Sequence, residues 1–464
     1  MYKETITVGL MPTRRPIFNI NTAREEYDKI MPIIRAQLPK HVKFVDVDDI
    51  CEQGMGAQLY DIAKVVDKFK AAKVDALFFP FCDFGCEEVV ASVAKEFKLP
   101  TLIWGSRDKV STFTKREKET QCGVFAATKV LRNYGVTYSY IFNCEFDSPE
   151  MPAGFEKFIR VAAVMKKMRN LRVAEIGDRP GAFFSVIHNQ LALIKDFGIT
   201  VIPIGLNAIK LKTDAIVEEN GQALQDYIKD YSTRIDCSEA NGGMDTITRL
   251  CAAKMAIEQM MIAEGAACSA MDCFGVYRVV GAPACAVQGE LSDAGLPSSC
   301  ETDVWGAISQ LMLQAASLGE DTEFLADWTY RHPTNDNSEL LWHGGPFAYS
   351  LATKEKQPRF FGRQATWEMK QGDITMLRMD ELDGKYYMFC DEGRTCYGPE
   401  TTGTYVWFEV DDWRRWEEKL MFGPYIHHVA GVYGHYKDVM QEVCRYLGQV
   451  EFDEVDEKGP RGLR

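Results

Sequence analysis

Carboxylates and imidazoles cluster in the last third of this 464-residue sequence. Cys300-Glu301-Thr302-Asp303 is followed by Phe324-Leu325-Ala326-Asp327-Trp328-Thr329-Tyr330, by Leu341-Trp342-His343-Gly344, and later by Ile426-His427-His428-Val429. Two acids and two or more imidazoles are the donor set of a divalent-metal site that keeps open positions for a substrate. Asp327 stands out, because an acid inside an apolar-aromatic stretch is costly to bury unless paired or metal-bound. Glu301 has a plainer reading as a charge opening a helix, favoured by the helix dipole, with Ser298 or Ser299 as cap. Of the seven histidines, His332, His343, His427, His428 and His435 share this region. That clustering weighs more than any one of them.

The elements that must position these groups alternate. Ile6 to Leu10, Val42 to Val47, Ala76 to Pro80, Pro100 to Trp104 and Tyr138 to Phe142 read as strands. Helical spacing over Thr22 to Ala36, Ala57 to Ala72, Cys86 to Phe97 and Gly123 to Tyr134 separates them. Such alternation predicts a parallel sheet covered on both faces. The charged stretch Lys166 to Asn170 marks a boundary. A second alternating unit follows, with strands at Leu171 to Ile176 and Thr200 to Ile204, a helix at Phe183 to Phe197 and a long helix at Thr246 to Ala263. From about residue 345, short aromatic-rich strands separated by turns such as Asp383-Gly384 predict an antiparallel module. The expected architecture is α/β: two doubly wound parallel-sheet domains, 1–168 and 169–325, then a β-rich C-terminal domain, 326–464.

Bulk properties exclude several function classes. A net charge of −14 argues against nucleic-acid or anionic-membrane partners, which need a basic surface. No apolar run approaches the roughly 20 residues that span a bilayer. Fourteen cysteines without a secretory signal suggest free thiols in a reducing cytoplasm. Their spacing supports no zinc knuckle, and they read as buried, inert thiols.

Together, Gln288-Gly289, Gly295-Leu296-Pro297-Ser298-Ser299-Cys300-Glu301-Thr302-Asp303 and Phe324 to Tyr330 resemble the L-fucose isomerase and L-arabinose isomerase superfamily. The matching block runs from about Ala284 to Phe347, with the histidine pair at His428 as its distant partner. The resemblance implies a Mn²⁺-dependent aldose–ketose isomerase, with Mg²⁺ or Co²⁺ as substitutes. It implies that Glu301 is a metal ligand and proton-transfer base, Asp327 the second carboxylate and His428 the third ligand. Asp327 follows the fucose branch, whereas His343 matches an additional ligand of the arabinose branch. His343 is therefore open between ligand and substrate contact. Gln288, His343 and His427 are candidates for binding sugar hydroxyls. Family members assemble as hexamers or trimer-based oligomers, so a homo-oligomer is expected, with Met11 to Pro16 and Phe81 to Gly85 facing a neighbour's site.

That chemistry is consistent with the residues. Moving a carbonyl between C1 and C2 takes a proton from one carbon and returns it to the next, work suited to two flanking carboxylates. A divalent ion would polarise the carbonyl and stabilise developing enediolate charge. The expected substrate is a small sugar of the fucose or arabinose type, or a modified hexose such as sulfoquinovose. Arg14, Arg15, Arg359 and Arg363 are a weak pointer to an anionic one. Two other classes stay open: a metal-dependent hydrolase or aldolase with a similar ligand set, and a non-catalytic sugar-binding protein.

Overall fold

The computed structural model describes residues 4–108 and 118–455. The described residues divide into two compact units, one up to Lys166 and the other from Lys167.

The first unit holds β1 (Ile6–Leu10), β2 (Val42–Val45), β3 (Ala76–Phe81), β4 (Thr101–Gly105) and β5 (Ser139–Tyr140). All pairings are parallel, in the order β2-β1-β3-β4-β5. β3 and β4 are buried along their whole length, as expected of strands with helices on both faces. The strand order reverses between β1 and β3, where open α/β sheets form a crevice. There Thr13 accepts a hydrogen bond from the Cys86 N–H and donates to Gly56 O. Asp83 accepts from the Arg15 and Gly85 N–H groups.

The second unit begins with a four-stranded parallel sheet: β6 (Arg172–Ile176), β7 (Thr200–Ile204), β8 (Cys268–Met271) and β9 (Ser298–Cys300), in the order β7-β6-β8-β9. The helix expected over Phe183 to Phe197 is instead a 3₁₀ turn at Phe184–Val186, a short helical turn at Gln190–Ala192 and a π turn at Leu193–Phe197. Its apolar residues Phe184, Ile187, Leu191 and Ile194 are exposed. No core rewards a continuous amphipathic helix there.

The β-rich part starts earlier than the change in sequence texture near 345. Its strands are β10 (Phe324–Arg331), β11 (Ser338–His343), β12 (Arg359–Phe361), β13 (Gln364–Glu368), β14 (Asp373–Leu382), β15 (Lys385–Cys396), β16 (Thr404–Glu409), β17 (His428–Tyr433) and β18 (Val450–Asp453). The order β16-β11-β10-β17-β14-β15, with β15 pairing back onto β16, closes an antiparallel barrel. Closure removes the exposed edges that an open sheet would present. β13 and β18 add to the barrel in parallel.

One helix joins the two sheets. Every residue of Val304–Ala316 is buried, and it packs on β8 and β9 on one side and β14 and β17 on the other. A helix this predominantly apolar, with only Ser309, Gln310 and Gln314 polar, suits such a place. Its polar Ser309 is satisfied there, accepting the Met379 N–H and donating to Trp305 O.

Candidate active site

Glu301 does not open the helix. It lies in the turn between β9 and Val304–Ala316, at the carboxyl end of the central sheet. Glu301 and Thr302 both have left-handed backbones, with φ of 60° and 58°. For non-glycine residues this costs about 1–3 kcal/mol each and persists only where the surroundings impose it. Here they do. The Thr302 N–H donates to Met271 O, the Asp303 N–H donates to Cys300 O, and the Ser299 hydroxyl donates to Asp303 O at 2.6 Å. The helix cap is Asp303, which accepts from the Gly306 N–H, while Ser298 and Ser299 lie in the strand.

Three barrel strands supply the rest. In the antiparallel pairing of β10 with β17, Asp327 sits directly opposite His428. His343 ends β11, just before the Gly344-Gly345 turn. His428 Nε2 lies 3.2 Å from Glu301 Oε2 and 3.5 Å from Asp327 Oδ1. Asp327 Oδ1 is 3.7 Å from His343 Nε2 and 4.0 Å from His427 Nε2. The structure therefore brings together Glu301, Asp327, His343, His427 and His428. His332 and His435 bond elsewhere, to Tyr397 O and to Asp373 with Glu392.

Asp303 and Arg378 went unmarked in the sequence. His428 is 0% exposed, and its Nδ1 donates to Asp303 Oδ2 at 2.9 Å. Arg378, itself 1% exposed, grips Asp303 with both terminal nitrogens and also binds Asp380 at 3.0 and 2.8 Å. Burial works against the Asp303 charge, but Arg378 and His428 hold its carboxyl below the usual carboxylate range. Burial also disfavours the His428 imidazolium, yet Asp303, Glu301 and Asp327 together push that ring up to about 10. Burial and the neighbouring His428 push His427 down. Glu301, Asp303, Asp327 and Asp380 thus face the Arg378 guanidinium and the His428 ring, an excess of carboxylates suited to a cation.

The hydrogen bonds assign opposite tautomers to the two buried histidines. His428 commits Nδ1–H to Asp303, the carboxylate–histidine arrangement that leaves Nε2 as the ligand once a cation displaces its proton. His343 Nδ1 accepts the Gly344 N–H at 2.9 Å, so its neutral ring carries the proton on Nε2 and presents a donor.

A metal fits this set. Glu301 Oε2, Asp327 Oδ1, His343 Nε2 and His428 Nε2 are buried and, beyond their contacts with one another, have no hydrogen-bond partner. Ligand atoms of Glu301, His427 and His428 lie within 4.8 Å of one another, as do those of Asp327, His343 and His428. Octahedral bonds of about 2.1 Å put adjacent ligand atoms about 3 Å apart and opposite ones about 4 Å apart. The four separations given above, 3.2 to 4.0 Å, fall in that range, with Glu301 and Asp327 in different groups that share His428.

Gln288 has a supporting place. It is 0% exposed, and its amide donates to Ser299 O at 2.6 Å, two residues before Glu301. A Cβ on the adjacent Gly289 would stand 2.7 Å from Phe347 O and 3.1 Å from Pro346 O. The dipeptide therefore braces β9 on one side and the chain beyond His343 on the other. Arg14, considered above as a loop residue, is buried and paired with Glu52 at 2.6 Å.

Comparison with known proteins agrees with this architecture. The family model described as fucose/sulfoquinovose isomerase, N-terminal domain, matches residues 9–169. That of the L-fucose isomerase C-terminal domain matches residues 358–454. A sulfoquinovose isomerase of Priestia megaterium is 24% identical over 462 residues, covering 96% of this chain and 98% of its own. One of Alkalicoccus urumqiensis is 22% identical over 409 residues, covering 85% of this chain and 87% of its own.

Proposed function

This chain belongs to the L-fucose isomerase and L-arabinose isomerase superfamily and is an aldose–ketose isomerase, and on that premise we propose how its residues divide the reaction. Glu301, Asp327 and His428 hold a divalent cation, Mn²⁺ in preference to Mg²⁺ or Co²⁺, as oxygen-rich ligation with one imidazole favours. The observation that carries this reading is the convergence of buried donor atoms that have no hydrogen-bond partner beyond one another. Buried polar atoms are rarely left so without a functional reason.

Converting an aldose to a ketose moves one proton from C2 to C1 and another from O2 to O1. Glu301 takes the C2 proton and returns it to C1, held at its post by the strained turn. Asp327, less buried than Glu301 and paired with His428 across the strands, passes the hydroxyl proton. When bound, the cation would polarise the carbonyl and stabilise enediolate charge. Asp303 keeps His428 Nε2 aimed at the site. His343 Nε2–H and the half-exposed His427 contact sugar oxygens, and Gln288 steadies the Glu301 turn.

The preferred substrate is sulfoquinovose, the sugar named for relatives that span nearly the whole chain. The same reading includes a homo-oligomer, hexameric or trimer-based, and a cytoplasmic setting consistent with the absence of disulfides among the described residues. No helix of the described residues is long and apolar enough to cross a membrane. The direct test is to incubate the Mn²⁺-loaded enzyme with pentoses, 6-deoxyhexoses and sulfonated hexoses and measure ketose formation. Preferential turnover of the sulfonated hexose supports the assignment. Turnover confined to uncharged sugars rejects that substrate but retains the chemistry.

A further inference from the structure

Three thiols from three elements meet behind the Glu301 turn. Cys273 opens the helix Cys273–Val280, Cys285 lies near the start of the helix Ala284–Asp293, and Cys300 ends β9. Their sulfur atoms all lie within 4.8 Å of one another. Cys273 and Cys300 are 6% and 1% exposed, while Cys285 is half-buried. Cys285 Sγ also stands 3.9 Å from where a Cβ on Gly344 would be. The group thus adjoins Glu301 in the chain through Cys300 and lies close to Gly344, which follows His343.

From this geometry we infer that Cys273, Cys285 and Cys300 form a second metal site, for a thiophilic divalent cation of the Zn²⁺ type. Zinc–sulfur bonds of about 2.3 Å in a tetrahedron place the sulfurs about 3.8 Å apart, within the observed separation. Three protein ligands leave a fourth position for water. Each thiol loses its proton to solvent on coordination, and no electron is transferred. A divalent cation also leaves less uncompensated charge on three thiolates than a monovalent one, which matters beside Glu301. Ligand softness separates the two sites: thiolates select zinc and cadmium, whereas the carboxylates and imidazoles nearby suit harder ions. The bound ion would tie the Glu301 turn to the helix that carries Gln288. Sequence spacing hides the group, because none of the three cysteines belongs to a short paired motif.

Cadmium reports thiolate ligation by an ultraviolet charge-transfer band. The full-length protein, saturated with Mn²⁺, is titrated with Cd²⁺. The band should saturate at one cadmium per chain, be displaced by Zn²⁺, disappear in both Cys285→Ser and Cys273→Ser, and persist in His428→Ala. No band in the folded wild type overturns the site. So does a band that survives both cysteine substitutions, or one that is lost in His428→Ala.

Discussion

Asp303 accepts the Nδ1 hydrogen bond of His428 at 2.9 Å with the same carboxylate that caps the Val304–Ala316 helix and pairs with Arg378. One side chain thus couples the start of the most buried helix to the orientation of the candidate metal ligand. Neutralising it in Asp303→Asn keeps a good helix cap but weakens the bond that sets the His428 tautomer. Affinity for Mn²⁺ should fall about 10- to 100-fold, the usual effect of removing such an outer-shell partner. Isothermal titration measures it, and unchanged affinity would separate Asp303 from metal binding.

Arg378→Leu leaves Asp303 and Asp380 buried without their counter-ion. Breaking one side of a buried ion pair costs on the order of 3–5 kcal/mol. Urea unfolding should show a loss of that size; one below about 1 kcal/mol would mean that the carboxylates find other compensation.

Gly289→Ala places a methyl group against the carbonyls of Pro346 and Phe347. Backbone on both sides leaves little room to yield, and overpacking of this kind costs about 1–3 kcal/mol. Because the displaced chain follows directly on His343, KM for the sugar should rise as well. A melting temperature and KM matching those of the wild type would remove Gly289 from the bracing role.

Glu323 is 0% exposed, and burial pushes its carboxyl up to about 7 despite hydrogen bonds with Ser292 and Gln314. The folded chain therefore keeps a proton that the unfolded chain releases near pH 4.5. Stability from this group is complete below that pH and is lost as the pH rises toward 7, by a total on the order of 3 kcal/mol. Glu323→Gln should flatten the stability profile across that window in denaturant titrations. A mutant with the same slope as the wild type would assign the pH dependence to other groups.

The sequence showed the acids and histidines because they stand out against apolar neighbours, and the resemblance joined them. Asp303 stands in the run that carries Glu301, but with the cap read at Ser298 or Ser299 and the helix opened at Glu301, nothing in the sequence gives it a role. Arg378, within Leu377-Arg378-Met379, looks like the outward residue of an alternating strand. Only barrel closure and the central helix bury both faces of β14. The Glu301 turn could not be inferred from local preference, since Glu and Thr adopt left-handed backbones only under tertiary constraint. The parallel strands were legible from their unbroken apolar runs. The Phe183 to Phe197 segment differs because its apolar residues Phe184, Ile187, Leu191 and Ile194 face an exposed surface, whereas the β-rich domain expected from 326 does begin with β10 and β11.

The central claim is that Glu301 moves the C2 proton through an enediol. Its most direct test follows the label of a C2-deuterated aldose by NMR, with Mn²⁺ present, in the wild type and in Glu301→Gln. In the wild type, deuterium should leave C2 for solvent or C1 as ketose forms, whereas the folded variant should retain it and form no ketose. Ketose formation by Glu301→Gln at a near-normal rate would contradict the account.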